Sequence, residues 1–178
     1  MIKRINFYAG PGAGKSATAM GVSRELKKLG YNVEYISEYI KNWAYEGRKP
    51  KSFQQLYIFS KQLNREDVLF PHVDHVITDS PLLMNTAYAK RYEFEGWPLL
   101  VEMALLYEKK FPGLHVFLDR SDIPYQTEGR YEDLEAARKM DHTIQNVLEE
   151  YQINYKVLKT TELDSIVNYV VESLKENK

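Results

Sequence analysis

The sequence predicts an α/β fold, a three-layer sandwich in which a five-stranded parallel sheet lies between helices on both faces. Strand-like and helix-like segments alternate along the 178 residues, with no internal repeat and no linker between them. The glycine-rich segment at 9–16 follows a short apolar run and precedes a helical pattern, an order typical of such sheets. A chain of this length buries a sizeable core, so we interpret residues 1–178 as a single domain.

Each element is predicted from its own pattern. Short runs of apolar and β-branched residues predict strands at about 3–8, 31–37, 73–78, 114–118 and 154–159. Helical periodicity predicts helices at about 15–29, 52–69, 83–93, 98–111 and 132–151, followed by a last helix that Thr161 caps. Gly30 is expected to end the first helix. The segment between the second strand and the second helix is interpreted as an aromatic-rich connection.

Composition narrows the class of protein. The net charge of −1 gives no general attraction to nucleic acid, although it leaves a local basic patch open. The absence of cysteine excludes disulfides, thiolate metal sites and cysteine nucleophiles. No apolar run approaches the ~20 residues that span a bilayer, and the chain enters a strand almost at once. We therefore expect a cytoplasmic protein with no signal peptide and no membrane partner.

Residues 9–16, Ala-Gly-Pro-Gly-Ala-Gly-Lys-Ser, predict a phosphate-binding loop. The usual pattern is G-x-x-x-x-G-K-S/T, and Ala9 stands here in place of the first glycine. Backbone N–H groups of such a loop surround an anion, Lys15 reaches the β- and γ-phosphates, and Ser16 offers a hydroxyl to Mg²⁺. We therefore predict ATP and Mg²⁺ as cofactors, because an ordinary glycine-rich turn does not explain Gly-Lys-Ser after a strand. The residues expected to bind the nucleotide are Gly10, Pro11, Gly12, Ala13, Gly14, Lys15, Ser16 and Ala17.

Acidic residues follow three of the predicted strands, at Glu38, Asp79 and Asp119, on the sheet edge where ligands of parallel sheets collect. Asp79 ends the third strand and is predicted to hold Mg²⁺ together with Ser16, although Asp79-Ser80-Pro81 also resembles the entry to a helix. Glu38 follows the second strand, where it is predicted to face the acceptor and to orient or accept the proton of an attacking hydroxyl. The alternative for Glu38 is a solvent-exposed loop glutamate.

The connection at about 120–131 is predicted to be a lid. It is long for a strand–helix connection, and it carries Arg120, Arg130 and a flexible position at Gly129. Arginines on a closing segment stabilise the charge that develops on a transferred phosphoryl group. The alternative is a surface loop whose arginines pair with nearby carboxylates. The catalytic residues predicted from the sequence are therefore Lys15, Glu38, Asp79, Arg120 and Arg130.

Aromatic and basic side chains are interleaved between Tyr39 and Tyr57. Rings and cations together can hold a base and a phosphate, and glutamines such as Gln62 on the following helix can pair with a base edge. We therefore predict that this segment binds the acceptor. The alternative is that the rings pack in the core and the cations stay in solvent. The candidate contacts to a nucleic-acid backbone are Lys41, Arg48, Lys49 and Lys51.

The phosphate loop, Glu38-Tyr39, Thr78-Asp79-Ser80-Pro81 and the segment from Tyr125 to Arg130 resemble the small P-loop kinases related to ribosylnicotinamide kinases, over nearly the whole chain. The chain is more distantly similar to deoxynucleoside kinases, which place a glutamate after the second strand as the base for a sugar hydroxyl. A related set is encoded by bacteriophages, and some members phosphorylate 5-hydroxymethyluracil within DNA. The resemblance implies a P-loop kinase-like fold and, for a viral member, the host cytoplasm.

The resemblance and the predicted site favour a kinase that transfers the γ-phosphoryl group of ATP to a hydroxyl of a nucleoside- or nucleotide-type acceptor, including a modified base in phage DNA. One alternative is a P-loop ATPase, in which water is the acceptor and turnover drives a protein or nucleic-acid partner. Another is a nucleotide-binding module without chemistry, in which the combination of Lys15, Ser16 and Asp79 with the two lid arginines, Arg120 and Arg130, would have no use. The identity of the acceptor and the oligomeric state stay open at this point.

Overall fold

The computed structural model describes residues 1–120, 123–125 and 132–177. The strands in these ranges are β1 (Arg4–Tyr8), β2 (Val33–Ile36), β3 (His75–Thr78), β4 (Gly113–Asp119) and β5 (Lys156–Lys159). The helices are α1 (Lys15–Lys28), α2 (Lys41–Tyr45), α3 (Gln54–Asp67), α4 (Leu82–Arg91), α5 (Trp97–Lys110), α6 (Leu134–Glu150) and α7 (Leu163–Glu176). Within the same ranges, no helix combines the length and the apolarity that crossing a membrane requires.

All five strands run parallel in one sheet, in the order β2-β3-β1-β4-β5. β1 is central, and its Ile5 pairs with Ile77 of β3 on one side and with Leu114 of β4 on the other. Parallel neighbours need crossover connections, which the helices supply. The predicted α/β fold with a five-stranded parallel sheet is confirmed. Because the carboxyl ends of β1, β3 and β4 are adjacent, the loops that follow them meet at one edge of the sheet.

Alternating side chains of β1 enter two separate cores. Phe7 is fully buried in a cluster that includes Val22 of α1 and Ile166 of α7. Tyr8 belongs to the other cluster, in which Leu83 of α4 and Ile144 of α6 also lie. Successive strand residues point to opposite faces, so the two clusters lie on opposite sides of the sheet and produce three layers.

The ends of two helices test the local predictions. Gly30 ends α1 as predicted, at φ +83°, in the left-handed region that glycine tolerates. The predicted Thr161 cap was wrong, because α7 begins at Leu163 with Glu162 in the N-cap position, and no described side chain caps this helix. Leu163 packs against Gly21 of α1. Contact between the two helices therefore places the start of α7.

The aromatic-rich connection contains a short helix, α2, that the sequence pattern did not predict. Trp43 of α2 is buried, and the guanidinium carbon of Arg48 lies 3.6 Å from the centre of its ring. Burial of one large ring under a cation stabilises a single helical turn that has little helical periodicity of its own.

Candidate active site

The phosphate-binding loop joins β1 to α1 at the carboxyl edge of the sheet. Gly14 is the N-cap residue of α1, with φ +80° and ψ 9°. The first turn of α1 carries no acidic side chain, so its N–H groups and the positive end of the helix dipole can act on an anion. Lys15 donates a hydrogen bond of 2.9 Å to the carbonyl oxygen of Gly10, which holds its side chain across the loop. Ala9 is fully buried and has no positive φ, so its position does not require glycine.

Two side chains from other elements hold the backbone of this loop. The Asp141 carboxylate of α6 accepts a hydrogen bond of 2.5 Å from the Gly10 N–H. Arg120 donates to both oxygens of the same carboxylate, at 2.6 and 2.9 Å, and to the carbonyl oxygen of Pro11 at 2.6 Å. Hydrogen bonds between charged groups are strong, so this arrangement fixes the loop before any ligand binds.

The loop approaches its neighbours too closely for side chains at all three of its glycines, since a Cβ at Gly14 would lie 2.7 Å from the Thr160 side chain. Gly10 and Gly12 have closer contacts still. A Cβ at Gly10 would lie 2.5 Å from the carbonyl oxygen of Ala137. Gly12 has φ +73°, and a Cβ there would lie 2.6 Å from the ring of Tyr125. These two positions therefore require glycine for packing as well as for access to phosphate.

Asp141 and Thr160 are supporting residues that the sequence analysis missed. The Thr160 hydroxyl donates to the carbonyl oxygen of Ala13 at 3.0 Å. It directly follows β5, so the rule that ligands collect at strand ends would have selected it. Asp141 lies on the apolar stripe of α6 that also carries Ala137 and Ile144. A charged residue inside an apolar stripe was the available signal.

Asp79 directly follows β3, and its side chain is buried. Its Oδ2 atom accepts a hydrogen bond of 2.8 Å from the Tyr35 hydroxyl, and the side chain of Ser16 lies close to the same hydroxyl. Burial raises the pKa of Tyr35, and the neighbouring Asp79 charge raises it further, so the hydroxyl stays protonated and donates. The N-cap of α4 is Pro81, which does not support the alternative interpretation of Asp79 as a helix cap.

These residues fit a magnesium ion. Among the described residues, the buried Oδ1 atom of Asp79 has no hydrogen-bond partner. A carboxylate oxygen without a partner beside the Ser16 hydroxyl offers the hard oxygen ligands that Mg²⁺ prefers. Mg²⁺ usually takes only one or two ligands from the protein, and the others come from substrate phosphates and water.

Glu38 lies between two residues that α3 anchors. Gln62 accepts a hydrogen bond of 3.1 Å from the Tyr39 N–H and donates to a hydroxyl of β3 at 3.4 Å. Arg65 donates to the carbonyl oxygen of Ser37 at 2.9 Å. The backbone on both sides of Glu38 is therefore fixed from one helix. Gln62 is buried and holds this loop, so its side chain is already engaged with the protein.

One cavity of about 460 Å³ is lined by the phosphate loop from Pro11 to Ala17 and by Asp79. The other residues that line it include Glu38, Lys41, Tyr88, Tyr92 and Glu132. Tyr92 donates to Glu132 at 3.2 Å. The volume is that of a pocket for a small molecule, and the lining combines a site for anions with an acidic, aromatic side.

Lys15 lines this cavity, and carboxylates lie near its ammonium group. Burial lowers the pKa of Lys15, and the charges of Glu38, Asp79 and Asp141 oppose that shift. Three carboxylates therefore act on one ammonium group. An ammonium in this position can balance negative charge that grows on a phosphoryl group.

The predicted lid lies largely outside the described residues, which exclude 121, 122 and 126–131. Arg130 is among the excluded residues, so its predicted role is not examined by the structure. Ile123 and Pro124 line the cavity beside the phosphate loop. Arg120 is buried and bonded to Asp141 and to the loop, so its phosphate contact stays a prediction.

A parallel sheet of this strand order, with a glycine-rich loop between the central strand and a helix, defines a P-loop protein of the nucleoside-triphosphate-binding class. Residues 4–165 match the sequence profile of a family described as "AAA domain", and the chain belongs to that family. No curated protein sequence matches the chain significantly.

Among solved structures, the chain is similar to deoxyadenosine kinase from M. mycoides, whose structure contains the products dCMP and a flexible dCDP. The TM-score is 0.57 at 15% sequence identity, and the match covers 97% of this chain and 99% of that one. The likeness shows that the two proteins share a fold, that of a P-loop deoxynucleoside kinase.

Proposed function

We propose that the protein is an ATP-dependent kinase that transfers the γ-phosphoryl group to a hydroxyl of a nucleoside-type acceptor. The observation that carries this proposal is that one cavity is lined by both the phosphate loop and Glu38. A triphosphate on the loop would extend toward the carboxylate that can receive the proton of a hydroxyl. The fold shared with deoxyadenosine kinase supports the same function.

The triphosphate would bind to the loop N–H groups and to Lys15. Ser16 and the Oδ1 atom of Asp79 would hold Mg²⁺, which neutralises charge on the β- and γ-phosphates when it is bound. Tyr35 occupies the other oxygen of Asp79, so it orients the carboxylate with Oδ1 left for the ion. Asp141 and Arg120 hold the loop in place, which avoids reorganisation when the nucleotide arrives.

The transfer step needs few protein groups. The acceptor oxygen forms a bond to the γ-phosphorus while the bond from that phosphorus to the β–γ bridging oxygen breaks, and ADP leaves with the electron pair. The hydroxyl proton moves to a carboxylate oxygen of Glu38. Lys15 stabilises the charge that grows on the bridging oxygen.

The lining of the acceptor side favours an uncharged alcohol. Outside the phosphate loop the cavity is lined by three carboxylates, Glu38, Asp79 and Glu132, and by one cation, Lys41, so the balance of charge would repel the phosphate of a nucleotide acceptor at short range. Tyr88 and Tyr92 offer ring faces to a base or sugar. Burial raises the pKa of Tyr88, and the charges of Glu38 and Glu132 raise it further, so its hydroxyl is a neutral donor for sugar oxygens. These features support a nucleoside hydroxyl as the acceptor.

The sequence resembles ribosylnicotinamide kinase-like and phage enzymes. This resemblance suggests two particular acceptors to test, nicotinamide riboside and 5-hydroxymethyluracil in DNA. A DNA acceptor would need a basic surface near the cavity, for which Lys41, Arg48, Lys49 and Lys51 are the candidates.

An ATPase is the second candidate, and the AAA domain family favours it. In that case water would attack the γ-phosphorus, and Glu38 would orient the water instead of an alcohol. The phosphate loop, Lys15 and Asp79 would keep the same roles.

ATP consumption with and without acceptors distinguishes the two candidates. The panel contains nucleosides, nucleoside monophosphates, nicotinamide riboside and hydroxymethyluracil-containing DNA. A kinase should be slow alone, should be accelerated strongly by one compound and should transfer labelled phosphate to it. Full turnover without any acceptor, with release of inorganic phosphate, would establish the ATPase instead.

The same assay at increasing salt tests the DNA acceptor. Each phosphate contact releases counterions, so activity on DNA should fall steeply as salt rises. Replacing Arg48, Lys49 and Lys51 with alanine should flatten that dependence. Transfer to free nucleosides alone, with weak salt dependence and no effect of the triple change, would eliminate DNA as the acceptor.

A further inference from the structure

One face of α2 lines the same cavity as the phosphate loop. Ile40, Lys41 and Ala44 are among the lining residues, and their spacing places them on one side of the helix. Met20 of α1 and Pro50 add two more apolar side chains to the lining. Together these residues supply four apolar side chains and one ammonium group. Apolar walls with a few polar groups that fix orientation are typical of a site for a flat organic group.

The structure separates Lys41 from the other cations of its segment. The sequence analysis grouped it with Arg48, Lys49 and Lys51 as candidate contacts to a nucleic-acid backbone. Of these four residues, Lys41 alone lines the cavity. Among the residues that the structure describes, no hydrogen bond or ion pair to its ammonium group is found. Lys41 is therefore a cation that faces a substrate cavity without a protein partner in the described ranges.

The chemistry of this ammonium group restricts what it can bind. It has three donors and no acceptor, so its partner must be an anion or a neutral atom with a lone pair. The charged side chains among the described lining residues are Lys15, Glu38, Asp79, Glu132 and Lys41 itself. The phosphate loop and Lys15 account for the triphosphate, and the three carboxylates disfavour a second anion. A neutral oxygen of the acceptor is the partner that remains.

We propose that this face of α2 binds the base of the acceptor and that Lys41 donates to a carbonyl oxygen of that base, an inference that rests on the proposed function. The natural bases differ at the ring position farthest from the sugar, which carries either an oxo or an amino group. Lysine donates to an oxo group, as it does to the O6 atom of guanine in nucleic-acid complexes, whereas its donors would face the N–H donors of an amino group. The acceptor is therefore an oxo-base nucleoside.

Two pairs of nucleosides that differ at this one group test the proposal, inosine against adenosine and uridine against cytidine. In the pair that the enzyme uses, the oxo compound should have a kcat/KM about 10-fold higher or more, the scale of one contact to a base edge. Lys41→Met keeps a flexible apolar side chain without the donors, so it should abolish the preference, mainly through KM. Lys41→Arg retains donors and should retain the preference.

Lys61→Ala is the matched control, because Lys61 is an exposed cation of α3 that does not line the cavity. It should leave the preference between oxo and amino compounds as it is in the wild type. Thermal melts of the three variants establish that each is folded.

Nucleoside affinities, measured by calorimetry with a non-hydrolysable ATP analogue, test the base contact separately from phosphoryl transfer. Tighter binding of the oxo compound that Lys41→Met abolishes would support the contact even if no transfer occurred. Equal binding of both members of each pair, tighter binding of the amino compounds, or no binding of any nucleoside would overturn it.

Two kinetic outcomes would also overturn the contact while leaving the kinase in place. A uniform fall in turnover of Lys41→Met on all acceptors would place Lys41 at the transferred phosphoryl group. A loss confined to nucleoside monophosphates would place it at an acceptor phosphate.

Discussion

At the residue scale, Lys15 carries the largest share of the proposed chemistry. Its ammonium group donates to the Gly10 carbonyl oxygen, and the charges of Glu38 and Asp79 act on it. The cation therefore lies near both the proposed acceptor carboxylate and the proposed magnesium ligand. Removal of such a group should act on the transition state more than on the fold.

Lys15→Ala should lower the rate of phosphoryl transfer at least ~100-fold, which is the scale of one lost electrostatic contact. Lys28→Ala is the control, because Lys28 lies on the exposed side of the same helix, paired with Glu25. The rates should be compared at saturating ATP and acceptor, with thermal melts of both variants. A folded Lys15→Ala protein with most of its activity would show that the loop lysine does not serve transfer.

Glu38→Gln should lower the turnover number far more than it changes the affinity for ATP. The amide keeps the shape of the side chain, and Gln62 and Arg65 still hold the adjacent backbone, but the amide cannot accept a proton. Steady-state kinetics and calorimetric ATP binding measure the two effects separately. Glu46→Gln, at an exposed position after α2, should change neither. If Glu38→Gln mainly weakened ATP binding, its assignment to the acceptor would be wrong.

At the scale of elements, the phosphate loop depends on α6 as well as on the strand and helix that it joins. The Asp141 carboxylate accepts from the Gly10 N–H and from the Nε and Nη2 atoms of Arg120, whose Nη1 atom donates to the Pro11 carbonyl oxygen. The helix therefore contributes to the site without contacting a ligand itself.

Asp141→Asn should weaken ATP binding and lower the free energy of unfolding together. The amide lacks the charge that Arg120 requires, and leaving one partner of a buried ion pair alone costs about 3 kcal/mol. Denaturant titration measures the stability, and calorimetry below the unfolding transition measures the affinity. Glu149→Gln, on the exposed side of the same helix, is the control. Unchanged ATP affinity in the folded variant would mean that the loop keeps its shape without α6.

Most helices and strands were predictable from the sequence, whereas the side-chain hydrogen bonds that join one element to another were not. The loop motif is local, and the strand-end rule selected Glu38 and Asp79, which line the same cavity. The bond from Asp141 to Gly10 joins residues 131 positions apart, so no local pattern contains it. The same holds for Tyr35, whose aromatic side chain on a strand gives no indication that it binds Asp79. Such contacts depend on how the helices and strands pack.

At the scale of the whole molecule, a buried charged cluster lies near the amino ends of β1 and β4, opposite the proposed site. Arg4 at the start of β1 forms ion pairs with Glu66 of α3, at 3.5 Å, and with Glu108 of α5. His115 of β4 lies 3.1 Å from Glu108. The cluster therefore links two strands and two helices across the base of the sheet, and α3 also carries the side chains that hold the Glu38 loop.

The pKa values of the two glutamates of this cluster are shifted in opposite directions. Burial raises the pKa of Glu66 to about 7, and Arg4 only partly opposes that shift. In the described part of the chain, neither carboxylate oxygen of Glu66 has a hydrogen-bond partner. Burial also disfavours the charge of Glu108, but hydrogen bonding to His115 and the charge of Arg4 lower its pKa overall. Glu66 therefore destabilises the folded state when it is ionised, and Glu108 stabilises it.

The wild type should become less stable as the pH rises, because the buried Glu66 side chain ionises, and Glu66→Gln should not show this loss. Because the folded-state pKa of Glu66 is about 7 against an ordinary value of 4.5, the folded protein binds more protons than the unfolded chain between these values. The free energy of unfolding therefore falls across this window, by on the order of 3 kcal/mol, and falls no further on this account above pH 7 or so.

Denaturant titrations at pH 5 and pH 8 should show that the free energy of unfolding of Glu66→Gln equals that of the wild type at the lower pH and exceeds it at the higher one. Glu108→Gln is the contrasting control and should be less stable than the wild type at pH 8, since it loses the ion pair with Arg4 and weakens the hydrogen bond with His115. A Glu66→Gln variant that is less stable than the wild type at pH 8 would mean that attraction to Arg4 outweighs the cost of burying the charge.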